Sequence, residues 1–348
     1  MAQGKGKGKG KGKEPSMAVP TVPPLPPLPN PSAGSANPAA SLSALWGYIQ
    51  PALDHLVRSP TNDANKAPPI DVEYHMGIHT ATYNYFTVQS EGANAALRLT
   101  GGQRTVASGA DLYEQLDIYM SGTARELLLG APQDDSTLIH YIVPCFNRYS
   151  AGAHSVNRLL NYVNRHYVKR AVDEDKGWLR LNDVLELVAK TLTANDSREK
   201  IFKLLKEKKT DELKKWGYED GGTTELLARA EACAESASPP DRVVPISSLA
   251  LRRFRTEFVE PLLAVPKSKG KAKKKFSRPS SGGVAPPGPK GRLARAVKEL
   301  LESKGDNQEE RNYLAAELAK TLESVGVRSD HPLRKRLDKF VATLIINK

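Results

Sequence analysis

His75 and His79 stand four residues apart, one turn along a helix, a spacing that can set two imidazoles on one metal ion. The zinc-peptidase arrangement needs Glu directly after the first His, and Met76 stands there. No third ligand accompanies the pair, so both histidines read as surface or interface side chains and no metal is expected. Asp173, Glu174 and Asp175 gather three carboxylates. Adjacent acids on a helix point in different directions, which suits a solvated helix end better than acid–base chemistry. Cys145 and Cys233 form no spaced redox or zinc motif. Gly283 and Gly288 have the spacing of a phosphate-binding loop, but Pro289 follows where that loop needs Lys. The Gly-Lys alternation over residues 4–13 puts Lys at the last position of every G-x-G-x-x-G frame. Neither a G-x-S-x-G nor an H-E-x-x-H motif occurs. The sequence argues for a non-catalytic binding protein or scaffold that needs no cofactor.

The charge narrows the partners. The formal net charge is +12, and much of it sits in the Gly-Lys alternation and in KSKGKAKKK at 267–275. Such runs attract polyanions weakly and without sequence preference. They lack interleaved aromatics, so base stacking gains no support. No apolar run is long enough to span a bilayer, and no apolar signal core opens the chain. Two cysteines make no disulfide framework, so a reducing cytoplasmic or nuclear compartment is expected.

Helices must position whatever binds. Residues 1–40, Gly-Lys repeats followed by VPTVPPLPPLPNP, bury nothing and favour extended polyproline II. The PPLPPLP piece reads as a spacer, with an SH3- or WW-type reader as the alternative. Apolar spacing predicts helices over 41–58, 70–90, 109–129 and 134–149. Pro51 and Pro144 should bend the first and fourth. A Gly/Ser-rich loop is expected over 91–109. After Ala151-Gly152 a central amphipathic helix is expected over 154–177, with Val156, Leu159, Leu160, Val163, Tyr167 and Val168 on one face and Gly177 as its cap. Residues 179–241 read as a charged helical segment, and 242–264 hold a further helix. A basic Gly/Pro-rich linker covers 265–290. Three helix candidates fill 291–348, the first two capped by Gly305 and Gly326. Helices joined by short turns, without alternating β-branched runs, imply an all-α bundle or solenoid.

The central string YVNRHYVKRAVDEDKG resembles the fifth helix of the first cullin repeat. LWGYIQPALDHLV resembles the first helix, MGIHTATYNYF the second, GADLYEQLDIYM the third, and IHYIVPCFNRYSAGAHSVNRLLNYVNRHYVKR the fourth and fifth together. ISSLALRRFRTEFVEPL resembles the helix that follows, and RLARAVKELLESKGDNQEERNYLAAELAKTLESVGV the start of the second repeat. The pieces keep the family order, interrupted by two insertions, and cover about half of the chain.

The resemblance implies a scaffold of an SCF-type ubiquitin ligase. In cullins of the first class, the second and fifth helices dock a Skp-type adaptor that carries an F-box receptor. By position, that dock would use Met76, Ile78, His79, Tyr83 and Asn84, with Asn161, Tyr162, Asn164, Arg165, Tyr167 and Lys169. Aromatic, Met and Arg side chains suit an interface core, and a basic fifth helix would steer an acidic adaptor. His75 and His79 stand where the family has Tyr, and Phe146 and Tyr167 where it has Trp. The chain stops at Lys348, early in the cullin stalk. RING-protein binding is therefore not expected of it, and it reads as a truncated scaffold. A basic helical protein that binds nucleic acid or another polyanion is the alternative.

Overall fold

A computed structural model describes residues 25–28, 37–59, 63, 65–100, 108–193, 196–265, 291–303 and 307–346, with side chains left undescribed at 93–100 and 345–346. Among the described residues the protein is all helix, without a strand. Both lysine runs, the linker glycines Gly283 and Gly288, and Gly305 lie outside them.

Helix α1 (Leu42–Val57) starts at Ser41, whose Oγ accepts from the Ala44 amide at 3.2 Å. Leu45, Ile49, Ala52, Leu53 and Leu56 form its buried stripe. Pro51 cannot donate to the Gly47 carbonyl. Gly47 is exposed, so water can take that bond and the helix runs on. Helix α2 (Val72–Thr100) continues past the expected stop at Ser90. The Ala- and Leu-rich stretch after Gly92 outweighs one glycine in helix propensity. Helix α3 (Ala110–Leu129) follows.

Helix α4 (Asp135–Leu159) is the central rod, packed against α1, α2 and three later helices. The Asp134 carboxylate caps it, accepting from the Thr137 amide at 3.3 Å. Pro144 interrupts it no more than Pro51 does α1, since His140, whose carbonyl loses the donor, is exposed. The expected break at Ala151-Gly152 is absent. Gly152 is a contact glycine: an added Cβ would lie 2.6 Å from the Leu56 oxygen of α1. The break falls instead at buried Leu160 (φ −102°, ψ 30°).

Helix α5 resumes at once through the pieces Asn161–Val163, Asn164–Val168 and Lys169–Asp173. Its middle turn is widened by a bond from the Lys169 amide to the Asn164 oxygen, five residues back. Gly177 does not cap it. Asp175 takes the left-handed conformation (φ 62°), and its carboxylate accepts from the Leu181 and Asn182 amides. One acid of the triplet is thus a cap for the next helix.

Three helices, α6 (Leu181–Ala189), α7 (Arg198–Lys214) and α8 (Thr224–Ala237), form an excursion that closes on itself. The Val243 amide donates to the Lys176 oxygen at 2.8 Å, and Arg180–Asp241 and Arg242–Asp183 pair at 2.8 Å each. Helix α9 (Ile246–Phe254, Arg255–Val259, Glu260–Leu263) then packs on α3 and α4. Tyr149 Oη donates to the Ala250 oxygen at 3.0 Å, and Arg253 Nε holds Asp117 at 2.6 Å. Helix α10 (Arg292–Glu302) and helix α11 (Gln308–Ser324) lie on α4, and α12 (Pro332–Ile346) lies on α11. Gly326 closes α11 as expected, at φ 83°, with Gly326 and Val327 amides returning to Glu323 and Leu322 oxygens.

Glu235 of α8 accepts from Ser248 Oγ of α9 at 2.6 Å. Burial pushes its carboxyl up to about 7, against the Ser248 hydrogen bond; Glu231 adds to the rise and Arg252 opposes it. The unfolded chain releases this proton near 4.5, so between about 4.5 and 7 the folded state binds more protons. Stability therefore falls as pH rises through that window. Glu235→Gln keeps an acceptor for Ser248 and removes the charge. Its melting temperature, followed by circular dichroism, should drop less between pH 5 and pH 8 than the wild-type value. An equal drop would place the titration elsewhere.

Candidate docking interface

The outer face of α2 and the outer face of α5 meet along a seam of rings. Tyr162 is its hub. The Phe86 ring lies 5.2 Å away edge to face, and His79 and Tyr83 lie at 5.8 Å each, also edge to face. On the other side, the His166 ring stacks on Tyr162 at 4.0 Å. Such pairs add about 0.5–1.5 kcal/mol each beyond area burial. Half-burial pushes the Tyr162 hydroxyl above its ordinary pKa, with Tyr83 adding to the rise.

The ring seam has a rigid floor. Phe86 is buried and packs against Gly109, the residue before α3. Gly109 sits at φ 85°, and an added Cβ would run into the Phe86 ring, so only glycine fits. Its amide donates to Gln89 Oε1 at 2.8 Å. Gln89 Nε2 in turn donates to Asp111 at 2.8 Å, and Tyr85 Oη donates to the same carboxylate. Burial and that hydrogen bond raise the Tyr85 pKa. From α5, Arg170 Nη2 donates to the Ser108 oxygen at 2.9 Å. Tyr167 is half-buried beside Tyr113, ring centroids 5.1 Å apart.

The exposed surface above this floor is aromatic and basic. Met76 is 55% exposed and Tyr83 49%. His79 and Asn84 are exposed on α2, and Asn161, Arg165, His166 and Lys169 on α5. Exposed carboxylates stand at the margins: Glu73 and Glu91 on α2, Asp173 at the end of α5, and Glu114 of α3, whose charge acts on Tyr167. Exposed Met and Tyr side chains of α2 thus lie beside the cations Arg165 and Lys169 of α5. His75 is half-buried, and among the described residues no group of three ligands surrounds a possible metal.

Two of the expected dock residues face inward. Ile78 is fully buried in the core and offers no area to a partner. Position 78 falls on the apolar stripe shared with Tyr74, Tyr85 and Ala81, so a residue-type match to a dock is overridden by helix phase. Asn164 is half-buried and committed to the fold. Its Nδ2 donates to Asn157 Oδ1 at 2.9 Å, and its Oδ1 accepts from the Ile246 amide at 3.1 Å. Asn157 Oδ1 also accepts from the Ser247 amide at 3.2 Å. The pair caps the start of α9. Two residues that the sequence reading passed over belong to the surface: His166, which stacks on the hub, and Val88, 49% exposed. Their four-residue steps from Tyr162 and Asn84 were the available signal.

Asn164→Ala strips a part-buried network that serves the amide of Ile246 and the side chain of Asn157. It should destabilise the protein by about 1–3 kcal/mol. Urea denaturation would measure this; a midpoint within error of wild type would show that water replaces the cap.

Two curated proteins are similar to this chain. Cell division control protein 53 of Saccharomyces cerevisiae is 26% identical over 141 residues, 39% of this chain and 17% of the yeast protein. Cullin-1 of Dictyostelium discoideum is 26% identical over 168 residues, 47% of this chain and 21% of that protein. The matched stretch thus spans about a fifth of these relatives. No family model and no solved structure matches. The likeness is distant, covers part of the chain, and points to cullins.

Proposed function

We propose that this chain is a cullin-like scaffold subunit of a ubiquitin ligase, and that the α2–α5 surface docks an acidic Skp-type adaptor carrying its F-box receptor. The observation that carries the reading is the Tyr162 seam, which joins α2 to α5 and leaves Met76, His79 and Tyr83 outside. The similarity to Cullin-1 and to cell division control protein 53 supports this class of scaffold. The role is non-catalytic: the surface binds, and chemistry belongs to the proteins it would bring together. Its working surface is Met76, His79, Tyr83 and Asn84 with Asn161, Tyr162, Arg165, His166 and Lys169; Tyr167 supports them from below. Both thiols are free and buried, which suits a cytoplasmic or nuclear setting.

Exposed aromatic and Met side chains at the centre of such a patch are the expected hot spots. Met76→Ala with Tyr83→Ala should weaken binding of the purified adaptor–F-box complex roughly 30-fold or more, about 2 kcal/mol. Isothermal calorimetry at physiological salt reads this directly. Arg165→Ala with Lys169→Ala should mainly slow association and flatten its dependence on salt. A well-folded chain that shows no heat of binding would remove the reading.

The net charge of +12 favours a second reading, a polyanion-binding protein. Under it, deletion of 1–13 and 267–275 would abolish steeply salt-dependent binding to duplex DNA, and the seam variants would leave that binding intact.

A further inference from the structure

Part of the proline-rich stretch is packed on the bundle. Leu25 and Leu28 are half-buried against the core, and Pro26 and Pro27 between them are exposed. Polyproline II has three residues per turn, so Leu25 and Leu28 share one edge. That edge faces α1 and α2. Gly77 provides the seat: an added Cβ there would lie 2.9 Å from Leu28 Cδ1 and 2.8 Å from Tyr48 Oη.

A cavity of about 500 Å³ opens beside this contact. It is lined by Leu28, Pro38, Tyr48, Met76, Thr80 and Asn84. The last three belong to the outward crest of α2. Leu28 therefore stands on one flank of the crest, and Tyr162 with His166 on the other. A segment that covered the dock would bury the crest, but Met76 and Tyr83 stay about half exposed with Leu28 in place. Glu73 is the one carboxylate on the cavity's lining, and the rest is apolar or neutral. The space fits an uncharged, largely apolar side chain.

Resting on the function proposed above, we infer that the Leu25–Leu28 strap is the second wall of the dock and that the cavity between it and α2 receives an apolar side chain of the acidic adaptor. The strap keeps its place on the α1–α2 face and turns a single helical crest into a groove with two sides.

The full-length chain tests this in three variants against the same adaptor–F-box complex, by calorimetry. Leu25→Ser with Leu28→Ser should unseat the strap and weaken binding at least fivefold, with the helical circular-dichroism spectrum unchanged. Thr80→Trp fills the cavity from its exposed rim and should weaken binding similarly with the strap intact. Tyr83→Ala reports on the seam alone. If wild type binds and Tyr83→Ala weakens it, while the strap and cavity variants bind like wild type, the strap inference is overturned and the dock stands. Tighter binding by the double Ser variant would make the strap a cover and overturn the inference too. No binding by wild type would overturn both.

Discussion

Two asparagine side chains seat the start of α9 on the junction of α4 and α5. Asn157, at the end of α4, and Asn164, on α5, bond to each other and to the first amides of α9. Helix N-termini carry unsatisfied donors, and burying one without acceptors is costly. The Asn pair meets that demand at the point where the chain returns to the bundle. Close by, the Val243 amide bonds to the Lys176 oxygen, joining the end of the excursion to its beginning. A three-helix segment can therefore leave and return without disturbing α3, α4 and α9. Its buried residues Val184, Val188 and Leu213 sit apart from the main core cluster, while its last helix, α8, packs back on α9 and α11.

The same constraint shapes the surface. Because α5 restarts immediately after Leu160, its inward residues Val163, Val168 and Ala171 are tied to the core. Its outward residues Asn161, Arg165 and Lys169 have no such duty. Tyr162 lies between the two sets and takes contacts from both helices. Beneath it, Phe86 against Gly109 and the Gln89–Asp111–Tyr85 bonds fix the height of the seam. A rigid floor under adaptable, exposed Met and aromatic groups lowers the ordering cost of binding. In the proposed complex, the exposed basic residues at the margin would add attraction for an acidic adaptor.

Much of this was readable in the amino-acid sequence, for physical reasons that also explain the failures. The extent of α1 and the Gly326 cap follow from local spacing and backbone preference, and the structure has them. Glycine misled where tertiary contact decided its use. Gly152 serves a close crossing of α1 and α4, which no local rule separates from a turn. Gly177 lost the helix end to Asp175, because a carboxylate there also caps α6. Ile78 and Asn164 matched a docking pattern by residue type, yet helix phase and a distant helix start turned them inward. His166 escaped notice because its value lies in stacking on Tyr162, a contact between side chains across a widened turn. The family resemblance carried the order of the helices but not which way each side chain points.

The central claim is that the α2–α5 seam is where a partner sits. Hydroxyl-radical footprinting tests it at the level of side chains. Met76 and Tyr83 are exposed and reactive in kind, whereas Met120 is fully buried and serves as an internal reference. In a complex saturated with adaptor and F-box protein, oxidation of Met76 and Tyr83 should fall several-fold, with His79 and His166 following. Phe202, exposed on α7 away from the seam, should be unaffected. Unchanged oxidation of Met76 and Tyr83 in the saturated complex would contradict the account and put the partner on another face.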